Sequence, residues 1–204
     1  MKEVFIVSMA RTPIDALSGV LGGVNVIELG KTVVKAAMER AGVNGDQIDE
    51  VYLGNVLQAN VGQAPAQQVS IAAGINTKTP CTTINKVCAS GMKAIMLGAQ
   101  SIMLGDNDVV VVGGMESMSN APHYLPTGRT GIRYGNGEIL DAISRDGLQD
   151  PYKKYMMGNA GEVCAKHYAF TREEQDAYAI ASYKRAQDAY ANNYFKDEIV
   201  PVVI

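Results

Sequence analysis

The sequence predicts an α/β fold in which a mostly parallel β-sheet lies between layers of helices. Segments typical of strands alternate with segments typical of helices from the N-terminus to about residue 115. The strand-like run at residues 108–113 contains four consecutive valines, as expected for a central strand covered on both faces. A cysteine, Cys88, lies between another strand-like segment and a helix. Sheets of this class place their sites at the carboxyl ends of the strands.

Four strands and three helices are predicted before residue 115. The strands are predicted at residues 3–7, 50–53, 82–84 and 108–113, and the helices at about 26–41, 64–73 and 89–104. Asn25 and Glu28 form a potential capping box for the first helix, and Gly42 is placed to end it. The alternation also fits flavodoxin-like and Rossmann-like folds, although no G-x-G-x-x-G motif follows the first strand to indicate a dinucleotide site.

The helix after Cys88 is apolar around nearly its whole circumference. After Gly91, its only polar residues are Lys93, Gln100 and Ser101. A helix of this composition must be covered on several sides. It is therefore predicted to lie between layers of structure instead of on a surface.

The composition argues against several classes of function. The 204 residues are 47% apolar and 19% charged, which is enough for one core and a smaller appendage. A net charge of −3 argues against a nucleic-acid groove. No targeting segment is recognised, and no apolar run approaches the ~20 residues of a membrane span. A cytoplasmic location without membrane attachment is the expectation.

The cysteine and histidine content supports neither a disulfide nor a metal site. Cys81, Cys88 and Cys164 show no paired spacing, which fits a reducing compartment. On a largely extended path, Cys81 and Cys88 would lie roughly 20 Å apart. His123 and His167 are the only histidines, and neither has a second ligand near it in sequence.

Cys88 is a candidate nucleophile from its predicted setting. At a helix N-terminus, unpaired N–H groups and the positive end of the helix dipole stabilise a thiolate over a thiol. A free cysteine is more often a small buried apolar residue, so a structural role stays open on this ground alone.

Five segments resemble the thiolase family in order and spacing. NKVCASGMK at residues 85–93 resembles the segment that carries the acyl-accepting cysteine of the acetyl-CoA acetyltransferases and 3-ketoacyl-CoA thiolases. The other segments lie at residues 7–13, 54–58, 113–119 and 196–201. The resemblance covers essentially the whole chain and is strongest to the short-chain acetyl-CoA acetyltransferase branch.

The resemblance implies half of a thiolase-like α/β/α fold, whose sheet is mixed in the family, followed by part of a helical loop domain. Since the composition changes after Met115, the expected domains are an incomplete N-terminal core at residues 1–115 and a truncated loop, or lid, domain at 116–204. A lid helix is predicted from Thr171 to about Asn192. The loop that many thiolases use in tetramer assembly corresponds to residues 125–133.

The resemblance also implies a reversible acyl transfer. Cys88 would take an acyl group from one acyl-CoA and pass it to the enolate of acetyl-CoA or, in reverse, to CoA. Leu148, Met156 and Met157 occupy positions where thiolases contact the pantetheine arm and a short acyl group. Many members have histidine where Met156 stands, so the acyl-chain preference stays open. The family needs no metal or redox cofactor, because CoA and acyl-CoA are its substrates.

Partners follow from the same resemblance. A homodimer or tetramer through the N-terminal core is expected. The family's second half supplies a Gly-His-Pro histidine, a Cys-x-Gly-x-Gly cysteine and an Asn-Glu-Ala-Phe segment, and none of these occurs in the 204 residues. The chain is therefore expected to need that half for activity. Two alternatives remain: a related ketosynthase with an acyl-carrier protein partner, and a non-catalytic half-protein or assembly subunit.

Overall fold

The computed structural model describes residues 2–204, which form two compact units. The first contains the chain up to Gly147 together with Val200–Ile204, and the second is Leu148–Ile199. Residues 116–147 thus belong to the first compact unit, although the change in composition places a domain boundary after residue 115. Compactness and the family's domain division are different properties, so the division at residue 115 stays a prediction.

The first unit contains a parallel three-stranded sheet. Its strands are β1 (Glu50–Gly54), β2 (Cys81–Ile84) and β3 (Val110–Gly114), in the order β2-β1-β3. Gly54 of β1 pairs with Ile84 on one side and with Gly114 on the other, so all three strands end at one edge. The predicted parallel arrangement of these strands is confirmed.

Three helices accompany these strands: α1 (Val26–Ala41) precedes β1, α2 (Pro65–Ala72) connects β1 to β2, and α3 (Ser90–Leu104) connects β2 to β3. Asn25 Oδ1 accepts a hydrogen bond from Glu28 N at 3.0 Å, and Gly42 follows α1 with a φ of 68°. Both predicted ends of α1 are confirmed, and each is set by local chemistry: an acceptor for an unpaired amide and a residue that tolerates left-handed backbone. Only half of the potential capping box forms, since Glu28 Oε2 accepts a hydrogen bond from Lys31 Nζ instead.

Shorter elements complete the first unit. Strands β4 (His123–Tyr124) and β5 (Leu140–Asp141) form an antiparallel pair. Single 3-10 turns lie at Val20–Gly23, Gly45–Gln47 and Met118–Asn120, and a π-helix covers Ile143–Leu148, whose last residue already belongs to the second unit. The main apolar core consists of Val26, Val34, Met38, Ile48, Val51, Leu53, Ala66, Val69, Ala73, Ile75 and Met115. These residues come mainly from α1, α2 and β1, so the core lies between those two helices and the central strand.

Helix α3 is not covered on several sides by the described chain, contrary to the prediction. Its buried residues are small, namely Ser90, Ala94, Gly98 and Ser101. A Cβ on Gly98 would lie 2.4 Å from Val112 Cγ1, so this small-residue face packs directly on β3. Its large exposed side chains are Met92, Ile95, Met96, Met103 and Leu104, which are 40–75% exposed. The composition correctly indicates an apolar helix. Whether each face is covered depends on neighbouring elements, and the described residues leave these large side chains exposed.

The segment at residues 3–7 is not a strand, which corrects the first predicted element. Phe5, Ile6 and Val7 are 72%, 82% and 74% exposed, and no described strand pairs with them. Apolar and β-branched residues favour extended backbone there. A strand also needs a hydrogen-bonded neighbour, and a single segment cannot show whether that neighbour exists.

The second unit is helical, with α4 (Met157–His167) and α5 (Arg172–Ala191). Thr171 Oγ1 accepts a hydrogen bond from Glu174 N at 3.1 Å, and Thr171 N donates to Glu174 Oε2 at 2.8 Å. This capping box confirms the predicted start of the long helix. The spacing of Ala179, Tyr183, Ala186 and Tyr190 predicts that this helix packs through one stripe. That prediction is wrong, since all four residues are exposed, with Tyr183 and Tyr190 at 74% and 55%. Tyrosine tolerates exposure because its hydroxyl can hydrogen-bond to water.

One described segment, Val87–Leu104, is apolar and long enough by composition to cross a membrane. Core helices of soluble proteins meet the same criterion, so this is weak evidence for a membrane span. Helix α3 itself has 15 residues. At ~1.5 Å per residue it is about 22 Å long, shorter than the ~30 Å hydrocarbon core of a bilayer. The absence of a membrane span stays a prediction.

Candidate active site

Cys88 lies at the edge of the sheet where all three parallel strands end. It follows the last residue of β2, Ile84, by four positions and precedes Ser90, the first residue of α3, by two. Its side chain is exposed. The predicted position of Cys88 between a strand and a helix is confirmed, and its role as a nucleophile stays a prediction.

The turn that carries Cys88 is fixed by hydrogen bonds on both sides of the cysteine. Asn85 Oδ1 accepts from Val87 N at 3.0 Å. Ser90 Oγ accepts from Lys86 N at 2.8 Å and donates to Val87 O at 2.6 Å. Val87 has a φ of 50°, which is unfavourable for a β-branched residue and persists only where surrounding contacts determine the backbone. The cysteine is therefore presented by a strained and well-held turn.

Three glycines allow α3 to begin directly against the strand ends. A Cβ on Gly54 would lie 2.6 Å from Gly91 N, and a Cβ on Gly114 would lie 3.2 Å from Gly91 Cα. The first contact is closer than a side chain allows, so glycine at position 54 is required for this approach. The start of α3, and with it Cys88, is held at the carboxyl ends of β1 and β3.

The amides in the first turn of α3 are not capped by the N-cap residue, Ala89, whose side chain has no acceptor. A helix N-terminus of this kind favours a negative charge, because unpaired N–H groups and the helix dipole act in the same direction. Cys88 directly precedes Ala89 in the chain. The arrangement suits a thiolate, or the oxyanion of a group attached to it.

The other two cysteines lie in different settings. Burial raises the pKa of the Cys81 thiol, which lies at the start of β2 and is partly buried. Cys164 is exposed within α4 of the second unit. Within residues 2–204, no group of three His, Cys, Asp or Glu side chains could hold a metal ion.

The three predicted substrate contacts belong to the second unit. Leu148 is the last residue of the π-helix, and Met156 and Met157 lie at the N-cap and first position of α4. An isolated bridge pairs Gln149 with Met156, which brings the chain after Leu148 beside the start of α4. Met157 is 44% exposed, whereas Leu148 and Met156 are partly buried. Their roles in binding stay predictions.

Sequence reasoning did not assign a role to Glu116 and Asn55. Glu116 follows β3 closely, and its carboxylate accepts hydrogen bonds from Asn55 Nδ2, Val56 N and Leu57 N at 2.8, 2.9 and 3.1 Å. Both residues lie in segments that carry the thiolase resemblance, at 54–58 and 113–119. The resemblance could have drawn attention to these two segments. Only the fold shows that Asn55 and Glu116, 61 positions apart in the sequence, form a hydrogen bond.

The first unit is a parallel α/β fold that presents an exposed cysteine, Cys88, at the carboxyl edge of its sheet, between a strand and a helix. This chain belongs to the thiolase family, because the family model for the thiolase N-terminal domain matches residues 4–204.

Two curated relatives, both acetyl-CoA acetyltransferases, agree with this family assignment. The cytosolic acetyl-CoA acetyltransferase of Gibberella zeae is 52% identical over 204 residues, covering 100% of this chain and 51% of that protein. The mitochondrial acetyl-CoA acetyltransferase of Xenopus tropicalis is also 52% identical over 204 residues, covering 100% of this chain and 48% of that protein. The chain spans about half the length of the curated relatives it matches.

A solved structure confirms the fold class. The crystal structure of Acat5 thiolase from Ascaris suum in complex with coenzyme A superposes with a TM-score of 0.95 at 46% identity. The match covers 98% of this chain and 52% of that chain, so the predicted thiolase-like half is confirmed. Since relatives include cytosolic and mitochondrial forms, they do not fix a location for this chain.

Proposed function

We propose that this chain is the nucleophile-bearing N-terminal part of an acyl-CoA:acetyl-CoA C-acyltransferase of the acetoacetyl-CoA thiolase type. The observation that carries the proposal is the exposed Cys88 in a held turn at the start of α3. The names of the relatives support the short-chain reaction over that of a ketosynthase, since those compared are acetyl-CoA acetyltransferases.

The proposed reaction has two steps at one sulfur atom. The Cys88 thiolate attacks the thioester carbonyl carbon of an acyl-CoA, a C–S bond forms, and CoA leaves as a thiolate that takes up a proton. In the second step a base, proposed to come from the family's second half, removes an α-proton from acetyl-CoA. The resulting enolate carbon attacks the acyl-cysteine carbonyl, a C–C bond forms, and the Cys88 thiolate leaves. Thiolysis is the reverse. We propose no metal or redox cofactor, with CoA and acyl-CoA as substrates.

Substrate contacts are proposed at Leu148, Met156 and Met157. Methionine side chains are flexible and polarisable, which suits a wall that follows a pantetheine arm or a short acyl group. The partly exposed Met157 and the adjacent Met156 lie at the start of α4, where first-turn amides also favour an anionic group.

We also propose a cytoplasmic location for the complete protein. The proposed boundary between the N-terminal core and the loop domain lies between residues 115 and 116.

Cys88 is expected to be the most reactive thiol of the chain, because it combines exposure with the N-terminus of α3. Iodoacetamide labelling followed by mass mapping should modify Cys88 at least about tenfold faster than Cys164, an exposed thiol within a helix. Cys81 should be slowest, since burial raises its thiol pKa. Faster alkylation of Cys164 than of Cys88 in the folded chain would refute the nucleophile assignment. Cys88→Ser is the control for peptide assignment.

The chain is also expected to self-associate, as proposed for a homodimer or tetramer through the core. The exposed apolar residues of α3 and the residues 5–7 near the N-terminus form surfaces that a monomer rarely leaves in water. Sedimentation at roughly tens of micromolar should show dimers or larger species. Substitution of the 75% exposed Leu104 by Asp should weaken association. A stable monomer at this concentration argues against the proposed interface.

A further inference from the structure

Glu116 connects the ends of β3 and β1 through its side chain. Its Oε1 accepts hydrogen bonds from Asn55 Nδ2 and Leu57 N, and its Oε2 accepts one from Val56 N. Three consecutive residues after the central strand are therefore held by one carboxylate. Hydrogen bonds to an ionised acceptor are stronger than neutral ones, so this contact is suited to fixing backbone position.

Asn55 extends the connection to β2. Its Nδ2 also donates to Met115 O at 3.2 Å, and its backbone N–H donates to Ile84 O at 3.0 Å. The side chain is 1% exposed, and its Oδ1 has no partner among the described residues. A buried acceptor without a partner is unfavourable. The unpaired Oδ1 therefore does not explain why this residue is asparagine. The Nδ2 group does, because it donates to Met115 O and to the Glu116 carboxylate, both in the segment after β3.

The end of β1 in turn lies against the start of α3. Gly54 precedes Asn55, and a Cβ at Gly54 would lie 2.6 Å from Gly91 N and 2.7 Å from Ser90 Cβ. Movement of β1 at this point would displace the backbone that follows Cys88. We propose that Glu116 is a positioning residue, which fixes the carboxyl end of β1 and, through the contact of Gly54 with α3, the turn at residues 86–90 that presents Cys88.

The test compares Glu116→Gln with Glu138→Gln, which removes the same charge from an exposed residue between β4 and β5. Amide hydrogen exchange is measured at residues 86–90, which the Glu116 side chain does not contact through any of its hydrogen bonds. Glu116→Gln should accelerate exchange there about tenfold, because charge-assisted hydrogen bonds that limit local opening are lost. Alkylation of Cys88 relative to Cys164 should change at least about threefold in the same variant, since reactivity depends on geometry.

Glu116→Asp provides the second variant, with a retained charge and a shorter reach. The rate of amide hydrogen exchange at residues 86–90 in Glu116→Asp should lie between the rates in the wild type and in Glu116→Gln. Acceleration confined to the amides of Val56 and Leu57, or exchange equal to that of Glu138→Gln, would overturn the inference. Loss of the fold in both variants would overturn it too, because the proposal gives the exposed Glu116 side chain a local role in positioning and not a role in folding.

The alkylation measurement rests on the proposed function, because it assumes that Cys88 is the reactive thiol. The hydrogen-exchange measurement does not rest on that function. If wild-type Cys88 is alkylated more slowly than Cys164, the proposed nucleophile fails. Exchange at residues 86–90 still decides the role of Glu116 in that case.

Discussion

The 204-residue chain alone is expected to show no appreciable thiolase turnover and only slow acylation of Cys88. A helix N-terminus can favour a thiolate, but condensation also needs a base for the α-proton and donors for the enolate oxygen. The Gly-His-Pro histidine that the resemblance implies as the base does not occur in the 204 residues, whose histidines, His123 and His167, lie in β4 and α4. General acid–base catalysis worth ~10²–10⁴-fold should therefore be lacking.

The deciding measurement is cleavage of acetoacetyl-CoA by CoA. It is followed for the purified chain alone and after addition of the second half of a relative, such as the Gibberella zeae protein, of which this chain covers 51%. Turnover is expected only in the mixture and should vanish with Cys88→Ala. Equal turnover without the added half would overturn the half-enzyme proposal. Acceptance of no acyl group by Cys88 in either sample would favour the non-catalytic alternative.

Elements whose ends depend on local chemistry were predictable from the sequence. Asn25 and Gly42 mark the ends of α1, and the capping box at Thr171 marks the start of α5, because each satisfies unpaired backbone groups within a few residues. The valine run near residue 110 likewise became β3. The position of Cys88 followed from two such adjacent elements, so this part of the site was also predictable.

Features that depend on distant neighbours were not predictable. The segment at residues 3–7 has strand composition but lacks a paired strand in the described chain, and α3 packs through Ala94 and Gly98 while Met92 stays exposed. Apolar content gives the tendency to be buried, but the fold decides which face is covered. The contact between Glu116 and Asn55 joins segments that only sheet formation brings together.

The substitution Gly54→Ala is expected to destabilise the first unit and to slow reaction at Cys88. Its Cβ would lie 2.6 Å from both Gly91 N and Ser90 C, which are backbone atoms that cannot rotate away. Either β1 or the start of α3 must shift, at about 2–3 kcal/mol of the free energy of unfolding. The shift also moves the Cys88 turn, and small misplacements at a reacting atom lower rates by about tenfold or more.

Gly23→Ala is the matched control for this substitution, because no atom lies within 4 Å of the added Cβ and its φ is not in the left-handed region. Urea unfolding followed by circular dichroism gives the stability of both variants, and alkylation of Cys88 relative to Cys164 gives the geometry of the turn in molecules that are still folded. The control should change neither quantity appreciably. Equal unfolding midpoints for the two variants, with an unchanged alkylation ratio, would show that α3 does not need glycine at position 54 to hold Cys88 at the edge of the sheet. A lower unfolding midpoint with an unchanged alkylation ratio would show that Gly54 is needed for the packing of β1 but not for the presentation of Cys88. A fall in both the unfolding midpoint and the alkylation ratio is the result that the 2.6 Å approach of the two backbones predicts.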